Sequence, residues 1–269
     1  MSIAPLARRR LAVTGSEELG AYRVLRVADP AGPPPQPGQF TMLAAAQRWG
    51  GGEDERPYLP RALSVARHAD GESVYLLEDV GPGTRRLCEL ARGDEVLALG
   101  PLGRGFAAPD PRRRAILVGG GVGIAPLAIL QDALALRGMK AVVLLGFRDG
   151  DRARGAALLR DARVATDDGS VGHRGLLTDL LAAELAQRGE AVVYSCGPAA
   201  MLEAVRALCA AREVPAQLAL EAPMACGFGA CFGCAVARRG GGYLRVCVDG
   251  PVLDASELDQ VDPHAGAPA

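Results

Sequence analysis

The sequence predicts a mixed β and α/β protein in three parts: an N-terminal antiparallel β-barrel over residues 1–109, a central parallel α/β nucleotide-binding domain over 110–214, and a small cysteine-rich unit over 215–269. Three observations predict it. The N-terminal part carries short alternating apolar segments punctuated by Gly and Pro, the pattern of an antiparallel barrel. The middle alternates apolar runs with segments of helical spacing, the pattern of a parallel sheet. The end gathers four of the chain's seven cysteines into one cluster.

Bulk composition narrows the function. The chain has 269 residues, of which 49% are hydrophobic, so full cores can form. The formal charge of −1 gives no electrostatic case for a nucleic acid or an anionic membrane as partner. Arginine replaces lysine almost throughout, Lys140 being the only lysine; that is compositional bias without functional content. No apolar run reaches the roughly 18 residues of a membrane span. Residues Met1 to Arg10 carry arginines, but no apolar segment of signal-peptide type follows. A cytoplasmic location is the expectation.

Within the barrel, Leu11–Thr14, Tyr22–Val27, Ser73–Leu77 and Glu95–Leu99 read as strands. Ala31–Gly38 is a Pro-rich loop and Gly50–Arg56 a Gly-rich acidic one. Arg61-Ala-Leu-Ser64 ends a polar stretch and opens the strand Leu63–Ala66. Gly81-Pro-Gly83-Thr84 follows a strand and opens a helical segment, Arg85–Leu90. Glycines before a helix let a phosphate approach free N–H groups, and Arg61 is a suitable partner for a diphosphate. An ordinary turn and a surface arginine explain the same residues equally well in isolation.

Asp110–Arg114 reads as a linker. Ala115–Val118 is then a strand running into Gly119, Gly120, Gly121 and Gly123, with Pro126 where a helix to Arg137 begins. This is not the Rossmann G-x-G-x-x-G, but Pro fits a first helical turn and the glycines permit phosphate approach; a tight strand–helix turn is the simpler alternative. Ala141–Leu145 and Ala191–Ser195 are further strands, and Leu176–Arg188 and Ala199–Arg212 further helices. Ser195-Cys196-Gly197-Pro198 and Met201 repeat the strand–turn–helix logic. Cys196 would face the cleft at a strand's carboxyl end, where open α/β sheets bind ligands, or else be a small buried residue. Thr166–Ser170 is a polar turn that could line the same cleft or merely solvate it. His68, His173 and His264 are scattered and expected to be solvated, and no acid–base catalytic residue stands out.

The late cysteines read Cys226-x4-Cys231-x2-Cys234, with Cys247 after twelve further residues. That is the plant-type spacing for a 2Fe-2S cluster. Gly227, Gly229 and Gly233 fill the gaps, so the loop can wrap an anionic cluster and aim N–H groups at sulfur. Structural zinc competes, though it usually takes two C-x2–4-C knuckles; four inert core cysteines fit this spacing poorly.

Taken together, the motifs resemble the ferredoxin reductase superfamily: Arg61-x-x-Ser64 resembles its flavin motif, Gly119–Pro126 its pyridine-nucleotide motif, and Cys196-Gly-Pro-x-x-Met201 its closing motif. A closer resemblance, from about residue 10 to 258, is to the electron-transfer subunits of bacterial dihydroorotate dehydrogenase B, carried by Glu221–Cys234 and by Asp249-Gly-Pro251 after the fourth cysteine. The resemblance implies FAD on the barrel, in contact with Arg61, Ala62, Leu63, Ser64, Leu76, Leu77, Glu78, Gly83 and Thr84. It implies NAD at the central domain and a 2Fe-2S cluster on Cys226, Cys231, Cys234 and Cys247, facing an FMN-containing dihydroorotate dehydrogenase catalytic subunit in a heterotetramer of two of each. The implied activity is an electron relay in pyrimidine biosynthesis, with electrons from dihydroorotate oxidation passing singly through the cluster and leaving FAD as hydride to NAD. A reductase subunit of the same architecture serving a sulfite reductase or hydrogenase, or a zinc-binding regulatory module, are the alternatives.

Overall fold

The computed structural model describes residues 8–50, 56–108 and 110–261; most of the Gly-rich acidic loop and His264 lie outside these. Six strands close an antiparallel barrel in the order β1-β2-β5-β4-β3-β6: β1 (Arg9–Leu19), β2 (Tyr22–Ala28), β3 (Phe40–Ala45), β4 (Arg61–Ala69), β5 (Glu72–Glu78) and β6 (Glu95–Leu102). Alternate residues such as Leu25 and Val27, Tyr75 and Leu77, and Val96 and Ala98 fill its interior, as the two-residue period of a strand requires. Helix α1 (Pro82–Cys88) plugs one end with Leu87. Pro82 occupies its first turn, which starts the helix earlier than the apolar spacing from Arg85 indicated.

The second sheet has seven strands in the order β10-β9-β8-β7-β11-β12-β15. They are β7 (Arg114–Gly120), β8 (Ala141–Phe147), β9 (Ala162–Thr166), β10 (His173–Arg174), β11 (Ala191–Cys196), β12 (Ala216–Ala219) and, after the cysteine segment, β15 (Val252–Asp254). All pair in parallel except β15, which runs antiparallel to β12. Helix α2 (Ala125–Leu136) and the barrel cover one face through Leu117, Val143, Leu145 and Tyr194. Helices α4 (Leu177–Leu185) and α5 (Ala199–Ala211) cover the other through Ile116, Val118, Leu144 and Val193. Burial on both faces explains why β7, β8 and β11 read as continuous apolar runs. A short helix, α3 (Gly150–Ala153), follows β8.

The barrel's outer residues Tyr22, Val24, Val74 and Leu76 share one core with the sheet. Arg67 of β4 pairs with Asp132 of α2 and donates to the Leu158 carbonyl, and Glu78 pairs with Arg152 of α3 at 3.1 Å. The cysteine segment is tied into the same body. Its bounding strands β12 and β15 are members of the parallel sheet, so the boundary expected at 214/215 falls inside one sheet. Between them lies a hairpin, β13 (Ala235–Ala237) with β14 (Tyr243–Arg245). No helix among the described residues is long and apolar enough to cross a membrane.

Candidate functional site

Strand β4 changes partner along its length. Its later part pairs with β5 from Val65–Tyr75 to Ala69–Glu72. Its first residues, Arg61 to Ser64, pair only with β3, while Leu76, Leu77 and Glu78 of β5 pair only with β2. A slot therefore opens between the two strands, and its lips are the two runs that the flavin resemblance singles out. The Leu76 and Leu77 side chains are buried in the two cores on either side, so that lip offers backbone. Glu78 is held by Arg152, which also grips Asp149 at 2.7 Å, so its carboxylate is neutralised by an ion pair from the other domain. The orphaned Tyr22 hydroxyl lies beside this group; burial, then Glu78, pushes its pKa up.

Arg61 lies at the mouth of the slot. Its guanidinium crosses Gly83, where a Cβ would stand 2.3 Å from Nε, and lies 5.9 Å from the ring centroid of Trp49. Nη1 donates to the Leu59 carbonyl at 2.7 Å, and among the described residues no carboxylate pairs with it. Partial burial lowers its pKa, the direction expected for a cation short of counter-charge. Thr84 accepts from the Val80 N–H at 2.9 Å and donates to the Gly81 carbonyl at 3.1 Å, which fixes the turn that carries Gly83. Trp49, the chain's one tryptophan, has no motif around it and was not foreseen here.

At the carboxyl ends of β7 and β11, adjacent in the sheet, the two nucleotide motifs press on each other. A Cβ on Gly123 would sit 2.5 Å from Gly197 Cα, and one on Gly120 would sit 2.5 Å from Met201 Sδ. Gly119 packs against Leu127 and Ile124 in the same way. Gly121 differs: its φ is +53° and nothing lies within 4 Å of its Cβ position, so it alone of the four faces open space. Pro126 takes the first turn of α2, and Pro198 caps α5. Cys196 does stand at the carboxyl end of β11, but its side chain is buried with Ala219, Val252 and Phe106 and does not face the cleft; burial, then Glu221, raises its thiol pKa. Glu221, just beyond β12, reaches solvent yet is enclosed by enough protein that desolvation raises its own pKa. Asp168 accepts both from the Ser170 N–H at 2.9 Å and from its hydroxyl at 2.6 Å, so that polar turn closes on itself. His68 bonds Ser73 and His173 bonds Asp179, both away from the slot.

The four late cysteines form two pairs. Cys234 and Cys247 are buried with their sulfurs 3.2 Å apart. Cys226 and Cys231 are half-buried and exposed respectively, and Cys231 is among the groups that act on the Cys226 thiol. Two pairs match a cluster in which each iron takes two thiolates. Gly227 and Gly229, at φ +79° and +88°, curl the loop. Burial alone would push the Cys226 thiol up, but the N–H groups of Phe228, Cys231 and Ala230 and the Cys231 thiol pull it down to about 6. Cys247 is pushed up to about 12 by burial and by Cys234. The donor set and the ring of N–H groups thus suit an anionic iron–sulfur centre.

The cysteine loop rests on the barrel. A Cβ at Gly227 would lie 2.6 Å from Met42 Cγ and 3.3 Å from Leu102, and Met42 pairs with Ala62 in the β3–β4 ladder. The Asp249–Pro251 turn is held likewise: the Arg104 N–H donates to the Gly250 carbonyl.

Residues 221–259 match the profile of the iron–sulfur cluster binding domain of dihydroorotate dehydrogenase B. The chain is 40% identical over 240 residues to the electron-transfer subunit of NAD(+)-type dihydroorotate dehydrogenase B from Geobacillus thermodenitrificans, covering 83% of this chain and 86% of that one. Against the same subunit from Desulforamulus reducens it is 36% identical over 231 residues, covering 82% and 86%. Among solved structures, a chain of the NADH-dependent reduced ferredoxin-NADP oxidoreductase superposes with TM-score 0.80 at 25% identity, covering 97% of this chain and 92% of that one. A ferredoxin reductase of carbazole 1,9a-dioxygenase shares the fold, with TM-score 0.64 at 23% identity over 78% of this chain and 67% of that one.

Proposed function

The chain belongs to the family of dihydroorotate dehydrogenase B electron-transfer subunits, and on that premise we propose how its residues carry electrons from a dihydroorotate-oxidising partner to NAD. It is an FAD-, 2Fe-2S- and NAD-dependent oxidoreductase subunit of pyrimidine biosynthesis. The cluster supplies one-electron transfer, and the flavin joins that to the hydride chemistry of the nicotinamide.

The chain's own task is placement. The slot between Arg61–Ser64 and Leu76–Glu78 receives the flavin ring, and Arg61 over Gly83 takes the diphosphate. Its guanidinium is fork-shaped and, among the described residues, has no carboxylate partner, which suits a diphosphate anchor. Gly121 lines the approach of the nucleotide phosphates, with Gly120, Cys196, Gly197, Pro198 and Met201 bracing the turns beside it. Neutralisation of Glu78 by Arg152 keeps an uncompensated anion away from the flavin lip.

One observation carries the relay: Gly227, next to the first cysteine, sits on the side chain of Met42, and Met42 lies opposite Ala62 on the flavin lip. The cysteine loop is thus one strand from the slot, while Cys231 is exposed between the exposed rings of Phe228 and Phe232. That outer side is the docking face for the catalytic subunit, which in this reading contains FMN and assembles with two copies of each chain in the cytoplasm. Residues 1–109, 110–214 and 215–269 are then the FAD, NAD and cluster segments.

Cofactor content tests the proposal. Protein purified without oxygen is expected to hold about two irons and one FAD per chain. Stoichiometric zinc with no iron would overturn it.

A further inference from the structure

Arg245, the last residue of β14, belongs to no motif, yet its side chain converges on the cysteine loop from behind. Nη1 donates to the Gly229 carbonyl at 3.2 Å. The guanidinium carbon lies 5.1 Å from the centroid of the Phe232 ring. Nε is 3.7 Å from Asp249 Oδ2, an oxygen that also accepts the Arg245 N–H at 2.8 Å. The fit is close, because a Cβ at Gly229 would stand 3.2 Å from Arg245 Nη1 and 2.7 Å from Val248 Cγ2.

Both residues that Arg245 touches are held in left-handed backbone, Gly229 at φ +88° and Phe232 at φ +59°. Such a conformation is unfavourable for Phe and persists only where neighbours impose it. Phe232 is 62% exposed; its carbonyl accepts from the Ala235 N–H at 3.2 Å, and the guanidinium packs on its ring. On the other side, the Val248 and Asp249 N–H groups donate to the Arg245 carbonyl at 2.9 and 2.8 Å, so the residue also shapes the turn that delivers Cys247. The residue thereby links the loop of the first three cysteines, through its side chain, to the turn of the fourth, through its backbone carbonyl and its pairing with Asp249.

Its charge matters as much as its shape. A centre bound by four thiolates is anionic and becomes more so on reduction, and the charges and hydrogen bonds around it set its potential. A guanidinium stays protonated at any working pH; Asp249 pairs with it at Nε, but Nη1 bonds the cysteine loop at Gly229, so the cationic end of that pair meets the loop and favours the reduced state.

We infer that Arg245 is a positioning residue of the cluster site, which preforms the ligand loop through Gly229 and Phe232 and holds the reduction potential of the centre up by its charge. The inference rests on the assignment of the four cysteines as ligands. Its test is an anaerobic redox titration of the full chain, followed by the electron paramagnetic resonance of the reduced centre, for wild type, Arg245→Gln and Arg245→Lys. Arg245→Gln is expected to titrate at a more negative potential with an altered resonance line shape, and Arg245→Lys near the wild-type potential. A fully loaded Arg245→Gln protein with wild-type potential and line shape would overturn the inference. If Arg245→Gln purifies without iron, Arg245→Lys decides: a loaded centre at wild-type potential supports the charge role, and a loaded centre shifted negative with the charge retained overturns it. Wild type is read first, because an iron-free wild type would overturn the ligand assignment itself.

Discussion

Arg61 and Gly83 are 22 positions apart in sequence, yet the guanidinium of one occupies the space a side chain on the other would need. Arg61→Ala is expected to release FAD on extensive dialysis while iron is retained, since the cysteine loop rests on β3 and not on Arg61. The flavin-to-iron ratio after dialysis reads this, and an unchanged ratio would count against the diphosphate role. The cysteines separate just as clearly. In iron-free protein at pH 7, Cys226 and Cys231 should be alkylated by iodoacetamide, while Cys196 and Cys209 are not. Cys226, pulled down to about 6, gains thiolate as pH rises through that value; Cys209 is buried and pushed up to about 12. Peptide mapping of the labelled sites checks it, and early labelling of Cys196 would contradict its burial. Arg61 and the four late cysteines stand out in the sequence because motif and spacing mark them. Trp49 and Arg245 do not, because their contacts, with Arg61 and with Gly229 and Phe232, are set by the fold.

At the scale of elements, β3 shows why some structure stayed hidden. Every residue from Phe40 to Ala45 is buried, so the alternation that marks a half-exposed strand is missing. Strand β9 is short and carries Arg163, which obscures it equally. Yet β3 joins the slot to the cysteine loop, and the joint depends on a missing side chain. Gly227→Ala would place a methyl group 2.6 Å from Met42 Cγ at a φ of +79°, and overpacking of this kind costs about 1–3 kcal/mol. On heating, cluster absorbance should be lost at a lower temperature than in wild type, with the temperature of flavin release little changed. Equal melting of the cluster signal in both proteins would show that the loop does not bear on β3.

Across the whole molecule the three expected segments form one body. A single core joins Phe40 and Met42 of the barrel, Val193 and Leu218 of the sheet, and Leu244, Val246 and the buried pair Cys234 and Cys247. The sequence distinguished barrel, sheet and cysteine region by their different periodicities, but periodicity says nothing about which faces meet. The sharing of β12 and β15 between sheet and cysteine segment therefore came only from the fold. In the proposed relay, electrons would cross this one body between the exposed Cys231, the slot and the nucleotide cleft. The most direct test uses Cys231→Ser with the catalytic subunit reconstituted. Rapid mixing with NADH should still reduce its bound FAD at close to the wild-type rate, because the slot and the nucleotide turns are untouched. Dihydroorotate-dependent NAD reduction by the complex should fall to background, and dihydroorotate should not bleach the FAD of wild type or Cys231→Ser without the catalytic subunit. Full coupled activity in Cys231→Ser would mean that electrons reach the flavin without the cluster, and would contradict the relay.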